Sequence, residues 1–174
     1  MKHDVRRWTI RSAEVADAGE LSALRYQIDG ETEYLDREQG EAFLDETGFR
    51  KLIEKDAEAE NRLFLVAESE GKLVGFARCE GMDLKRKAHQ AEFGVAVSKE
   101  YWRCGIGRGL LESAVAWADR SGIVKLTLSV LAANQKAVEL YKQYGFVEEG
   151  RLRADKRLAD GYYDTLLMAR FHSF

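Results

Sequence analysis

The segment Tyr101-Trp102-Arg103-Cys104-Gly105-Ile106-Gly107-Arg108-Gly109-Leu110-Leu111 decides how this chain reads. It follows a strand-like run, Ala91–Val97 (AEFGVAV), and opens a helical pattern through about Arg120, with Leu110, Ala114, Val115 and Ala118 on one face and Gly122 after it. Glycine lets a ligand approach the backbone closely. A helix N-terminus adds unpaired N–H groups and the positive end of the dipole, and Arg103 and Arg108 add charge, so the segment suits an anion. The plain alternative is a tight strand-to-helix connection that holds nothing. Two familiar phosphate loops do not fit. No Gly-Lys-Ser/Thr occurs anywhere, and the third glycine of a G-x-G-x-x-G pattern falls on Leu110.

C-terminal to the loop, Lys125–Val130 (KLTLSV) alternates as a strand with Leu126, Leu128 and Val130 inward. A helix is expected from Asn134 to Tyr144, ended by Gly145, followed by strands at Phe146–Glu149 and Tyr162–Phe171. On the N-terminal side, Trp8–Arg11 reads as a strand, and Asp17 caps a helix carrying Leu21, Leu24 and Ile28. A loop is expected over Asp29–Gly40, then a helix from Glu41 towards Glu58 that Gly48 could divide into two. Strands at Arg62–Glu68 and Leu73–Cys79 flank a turn at Glu70-Gly71, and Gly94 inside the next strand signals a bulge or a close backbone approach. The order β-α-α-β-β-β-α-β-α-β-β is α/β (α+β), a mixed sheet with helices packed on it.

Composition narrows the function classes. The 174 residues suit one domain, 27 basic residues against 30 acidic ones give a net charge of −3, and there are 15 glycines and no proline. That balance offers no electrostatic footprint for nucleic acid. Cys79 and Cys104 lack metal-finger or C-x-x-C spacing and read as free thiols of a reducing cytoplasm. The opening MKHDVRRW has no apolar core of signal-peptide length, and no apolar run approaches a membrane span, so a soluble, cytoplasmic protein without a membrane or metal partner is expected.

A second pattern, Asn134-x-x-Ala137-x-x-Leu140-Tyr141-x-x-x-Gly145-Phe146, follows the glycine loop across one strand. By itself it is equally an Asn-capped helix with Ala137, Leu140 and Tyr141 in the core. Together the two resemble the GNAT superfamily of acyl-CoA-dependent N-acetyltransferases, whose pyrophosphate loop runs [Q/R]-x-x-G-x-[G/A], often with two leucines following. The similarity extends to WTIRSAEVADAGEL and DGYYDTLLMARF, and the departure is Trp102 where Gln or Arg is usual. The resemblance implies a single N-acetyltransferase domain over residues 1–174, with a mostly antiparallel sheet of about six to seven strands and about four helices.

It also implies the chemistry. Acetyl-CoA would be the cosubstrate, its pantetheine arm lying between two splayed strands against backbone groups of the Val95-Ala96-Val97 edge. Amides from Arg103 through Cys104, Gly105, Ile106, Gly107 and Arg108 to Gly109 would hold the pyrophosphate, and Asn134 would contact the cofactor. An amine would attack the thioester directly, with Tyr141 as general acid and Glu92 as general base; the plainer readings are a packing ring and a solvated strand residue. His89 is a lesser base candidate, and Cys104 fits an inert small residue better than a nucleophile. The acceptor would be an amino acid or other small amine, or alternatively a protein N-terminus of the ribosomal-protein type. Tyr26, Glu31, Glu33, Tyr34, Asp36, Glu38 and Glu41 could attract a cationic amine but read more simply as a solvated loop. A homodimer is expected by analogy. A non-catalytic acyl-CoA-binding module and a nucleotide-binding protein are the competing classes.

Overall fold

Apolar strands and four helices, two on each face, build a covered seven-stranded sheet, in a computed structural model that describes residues 6–173. The opening stretch therefore lies partly outside the described residues. In chain order the elements are β1 (Thr9–Ser12), α1 (Ala18–Glu31), α2 (Glu46–Glu58), β2 (Leu63–Ser69), β3 (Lys72–Gly81), β4 (Gln90–Val97), α3 (Ile106–Arg120), β5 (Lys125–Leu131), α4 (Gln135–Gln143), β6 (Val147–Leu158) and β7 (Gly161–Phe171). This is the order expected from the sequence. Among the described residues no helix is long and apolar enough to cross a membrane.

The strands lie in the order β1-β2-β3-β4-β5-β7-β6, antiparallel throughout except for β4 against β5. On one face, Leu110, Leu111, Ala114 and Trp117 of α3 pack with Val138 of α4 on Ala77, Cys79, Phe93, Leu126 and Leu128. On the other, Leu21, Leu24 and Ile28 of α1 and Phe49 and Ile53 of α2 cover Phe64, Val66 and Leu73. Each fully buried Leu, Ile, Val or Phe among them contributes roughly 1.5–3 kcal/mol of transfer free energy. Val115, expected on the inner face of α3, is only half-buried.

Several local readings shift. Asp17 stands at the N-cap of α1 but makes no capping bond into it. Its carboxylate turns back to accept from the Glu14 amide at 2.7 Å and forms a bidentate pair with Arg11 at 2.8 Å, which holds the Asp17 carboxyl below its usual range. Helix α1 runs through Asp29 and Gly30, which were expected in the loop. Helix α2 begins five residues later than Glu41 because Asp45 caps it, accepting from the Gly48 amide at 2.8 Å, so Gly48 sits in the first turn and divides nothing. The sixth strand is much longer than Phe146–Glu149. It continues through GRLRADKRL with two register shifts, at the second of which Ala154 has a φ of 49° and its amide donates to Asp164 at 2.9 Å.

The register positions the site. Strands β4 and β5 pair at Gln90–Lys125, Ala91–Leu126 and Glu92–Thr127, and there the pairing stops. β4 continues to Val97 against β3 alone, and β5 continues to Leu131 against β7 alone. The sheet thus opens into a groove whose apex is Glu92.

Candidate active site

The glycine loop stands at the mouth of this groove. A 3-10 turn, Lys99–Tyr101, leads out of β4; Arg103 (φ 64°) and Gly105 (φ 84°) are left-handed, and α3 begins at Ile106. Alternating backbone conformations of this kind turn successive N–H groups towards one concavity, an anion nest. The amides of Arg103, Gly105, Ile106, Gly107 and Arg108 have no acceptor among the described residues. Cys104 N–H points to Tyr101 O at 3.4 Å, and Gly109 N–H donates to Gly105 O at 3.0 Å as the first bond of the helix. Gly109 is therefore removed from the expected set of anion donors. It is glycine for packing: a Cβ there would lie 2.7 Å from the Trp8 ring. At Gly107 a Cβ would meet nothing within 4 Å.

Two indoles fix the loop. Trp8 donates to Cys104 O at 2.9 Å, and Trp102 donates to Val97 O at 2.9 Å. Neither bond was anticipated, although Trp102 was visible as a departure from the usual motif. Arg108 does not point into the nest. Its guanidinium reaches Tyr144 Oη at 3.3 Å and Gln143 Oε1 at 3.4 Å and stacks over the Tyr144 ring, whose hydroxyl donates to Glu112. Cys104 Sγ faces Trp102 O and no base. Cys79 is buried, which pushes its thiol up to about 12 and leaves it inert.

Along β4, Ser98 N–H donates to Val74 O of β3, so alternation directs the backbone of Ala96 and Gly94 to β3 and that of Phe93, Val95 and Val97 into the groove. Of the three valine-edge residues expected at the cofactor, Ala96 thus has its backbone turned away, and the carbonyl of Val97 is already held by Trp102. Gly94 makes neither bulge nor close contact: its register with Arg78 is regular and a Cβ would meet nothing within 4 Å.

Glu92 and Tyr141 approach the apex from opposite faces. Phe93 lies in the α3/α4 core, so its neighbour Glu92 projects on the other face, between Glu80 of β3 and Thr127 of β5. Partial desolvation in the groove, then the charges of Glu80 and Asp36, raise the Glu92 carboxyl above its ordinary value. Glu80 is itself partly compensated by Arg62 at 3.4 Å and Arg78 at 3.6 Å. Tyr141 packs edge-on against Phe93 and Phe146, with centroids at 6.4 and 5.8 Å, and its hydroxyl has no hydrogen-bond partner among the described residues. Burial pushes that hydroxyl up to about 12. Asn134 Oδ1 caps α4 through Ala137 N at 3.4 Å, leaving its side-chain N–H groups available. His89 is exposed at the closed end, where its carbonyl accepts from Val124 and Lys125.

The acidic segment after α1 is largely spent on structure. Glu31 accepts from Lys99 N at 2.6 Å, Glu41 accepts from Glu38 N at 2.8 Å, and Asp36 pairs with Lys156 of β6 at 2.8 Å, strapping this loop across to the β6–β7 hairpin. Among the described residues no group of three or more His, Cys, Asp or Glu side chains is placed to hold a metal ion. A cavity of about 380 Å³ between α2, the start of β2 and Trp117 contains none of the candidate residues.

The acetyltransferase (GNAT) family model matches residues 26–146. The bS18-alanine N-acetyltransferase of Escherichia coli is 38% identical over 77 residues, 44% of this chain and 52% of that one, so the match spans about half of that relative's length. The spermidine N(1)-acetyltransferase of Vibrio cholerae is 31% identical over 121 residues, 69% of this chain and 67% of that one. A solved GNAT-family acetyltransferase from Streptococcus pneumoniae superposes with a TM-score of 0.91 at 32% identity, covering 96% of this chain and 100% of that one. A putative acetyltransferase from Salmonella typhimurium, solved with acetyl-CoA, shares the fold with a TM-score of 0.83 at 19% identity, covering 97% of each chain.

Proposed function

The chain belongs to the GNAT acetyltransferase family, and we propose that residues 1–174 form one cytoplasmic N-acetyltransferase domain. It would move an acetyl group from acetyl-CoA to the primary amine of an amino acid or other small molecule, and act as a homodimer. The observation that carries this reading is the continuity of the site: an anion nest, an unpaired strand edge and two opposed ionisable side chains follow one another along a single groove.

The residues fit the cosubstrate. Amides of Gly105, Ile106, Gly107 and Arg108 receive the pyrophosphate, with the charge of Arg103 beside them in sequence, and Asn134 contacts the cofactor from the start of α4. Val95, both its N–H and C=O, and the N–H of Val97 receive the pantetheine arm. Bound acetyl-CoA supplies the thioester. An alkylamine with a pKa near 10 is about one part in a thousand neutral at pH 7, so attack needs a base, and Glu92 takes that proton directly or through water. Tyr141 keeps its own proton and donates a hydrogen bond towards the sulfur position as charge develops there.

Thermal unfolding with acetyl-CoA, ATP and NAD separates this from a nucleotide-binding protein. Acetyl-CoA at 100 times its Kd should stabilise by about 2.7 kcal/mol, and ATP and NAD at the same concentration should stabilise less, because their phosphates reach the nest but nothing of theirs fills the groove. Thiol release across amino acids, polyamines and peptides with free N-termini then identifies the acceptor. The alternative, a protein N-terminal acetyltransferase, predicts release with peptides alone. Binding without release on any amine would leave an acyl-CoA-binding module.

Two glycine substitutions separate binding from folding. Gly107→Ala fills open space on a helix and should raise stability by about 0.5–1 kcal/mol while weakening acetyl-CoA binding, because the added methyl occupies the anion's approach. Gly109→Ala meets the Trp8 ring and should cost about 1–3 kcal/mol despite alanine's helix preference. Calorimetric Kd and Tm for both variants check this; a pair that behaves alike would contradict the division of roles.

A further inference from the structure

We propose that Trp102 is a positioning residue that sets the distance between the two halves of the cofactor site; this rests on the acetyl-CoA reading above. The nest amides of Gly105–Arg108 and the groove-facing edge of β4 belong to one short stretch of chain, joined by Ser98 and the 3-10 turn Lys99–Tyr101. A ligand that engages both at once pays for any error in their spacing, whereas a ligand that engages one does not. The Trp102 indole donates to Val97 O at 2.9 Å, the groove-facing carbonyl at the end of that edge. It is thus a direct strut from the loop to the strand. Trp8, by contrast, holds Cys104 O from β1's side and fixes the loop to the body of the sheet.

Other contacts give the strut a defined seat. The ring of Trp102 is 39% exposed, so it is not a core side chain whose loss would empty the interior. Lys99 Nζ lies 5.9 Å above the ring centroid, and Glu31 at the end of α1 accepts from Lys99 N, so the turn that carries Trp102 is itself anchored to α1. The indole also occupies a carbonyl that a pantetheine amide could otherwise take. Its N–H, rather than its bulk, carries the role.

The test is Trp102→Phe, which keeps an aromatic ring and removes the donor. Kd is measured by calorimetry for coenzyme A, which spans both halves, and for ADP, whose pyrophosphate reaches the nest alone; kcat and KM for acetyl-CoA accompany them. Losing one hydrogen bond should weaken coenzyme A and raise its KM about three- to tenfold, with kcat and the ADP affinity unchanged. Equal losses for ADP and coenzyme A would overturn the proposal, since Trp102 would then merely maintain the loop, and so would no loss for either. Should Trp102→Phe not fold, a benzothienylalanine at position 102, sulfur replacing N–H in the same shape, makes the same comparison. If wild-type protein binds no coenzyme A, the acetyl-CoA reading itself fails, a result distinct from any of these.

Discussion

Tyr141→Phe is expected to lower kcat by about a hundredfold or more, the usual cost of deleting one donor aimed at developing charge, while the Kd for acetyl-CoA stays within about twofold, less than one hydrogen bond is worth. The ring does the packing, against Phe93 and Phe146, and phenylalanine preserves both contacts. The hydroxyl is what is lost, and in the protein alone it bonds to nothing among the described residues. Removing a hydroxyl that bonds to no described residue breaks no contact within the protein, so the Tm should hold. A value pushed up to about 12 also defines the role. A thiol titrates near about 8.5, so complete transfer of the tyrosine proton to a thiolate is uphill, and the hydroxyl acts chiefly as a hydrogen-bond donor to the sulfur. It remains protonated across the working pH range and contributes no falling limb below about pH 10. Steady-state kinetics, calorimetry and thermal unfolding of the one variant suffice; wild-type turnover would remove Tyr141 from the chemistry and leave it a packing residue.

The sequence disclosed what depends on local periodicity and hid what depends on pairing. Leu126, Leu128 and Val130 alternate into a core, and the strand and helix order follows from such runs. The long β6 was hidden because its residues are exposed on both faces and interrupted by two register shifts, so no period of two survives in GRLRADKRL. The start of α2 depended on one capping bond at Asp45. In the site, glycine spacing revealed the loop, but which amides are unpaired is decided by the first helical bond, and that excluded Gly109. Trp8 and Trp102 act through single N–H bonds to carbonyls 96 and 5 residues away. Side-chain chemistry alone cannot announce such bonds. The groove is likewise a property of register, since β4 and β5 look like ordinary neighbouring strands until their pairing stops at Glu92 and Thr127.

Glu92→Gln is the second large expected effect, and it should appear in two measurements with opposite signs. As a general base Glu92 works only when deprotonated, and its loss should reduce kcat by about a hundredfold, the lower range for general base catalysis. The ratio of wild-type to variant kcat, in which the acceptor's own titration cancels, should rise with pH through a midpoint above the ordinary 4.5 of a glutamate and then level off. Stability runs the other way. Because desolvation and the charges of Glu80 and Asp36 raise Glu92 in the folded protein, the folded state holds this proton more tightly than the unfolded chain does. That contribution is complete below the unfolded value and disappears as pH climbs through the folded one, so at neutral pH the ionised carboxylate beside its cross-strand partner Glu80 is a liability. Glutamine should therefore raise the Tm at pH 7 and confer no such gain near pH 4. The Tm effect follows from the raised carboxyl alone, whereas kcat equal to wild type across the pH range would return Glu92 to the class of solvated strand residues with no catalytic duty.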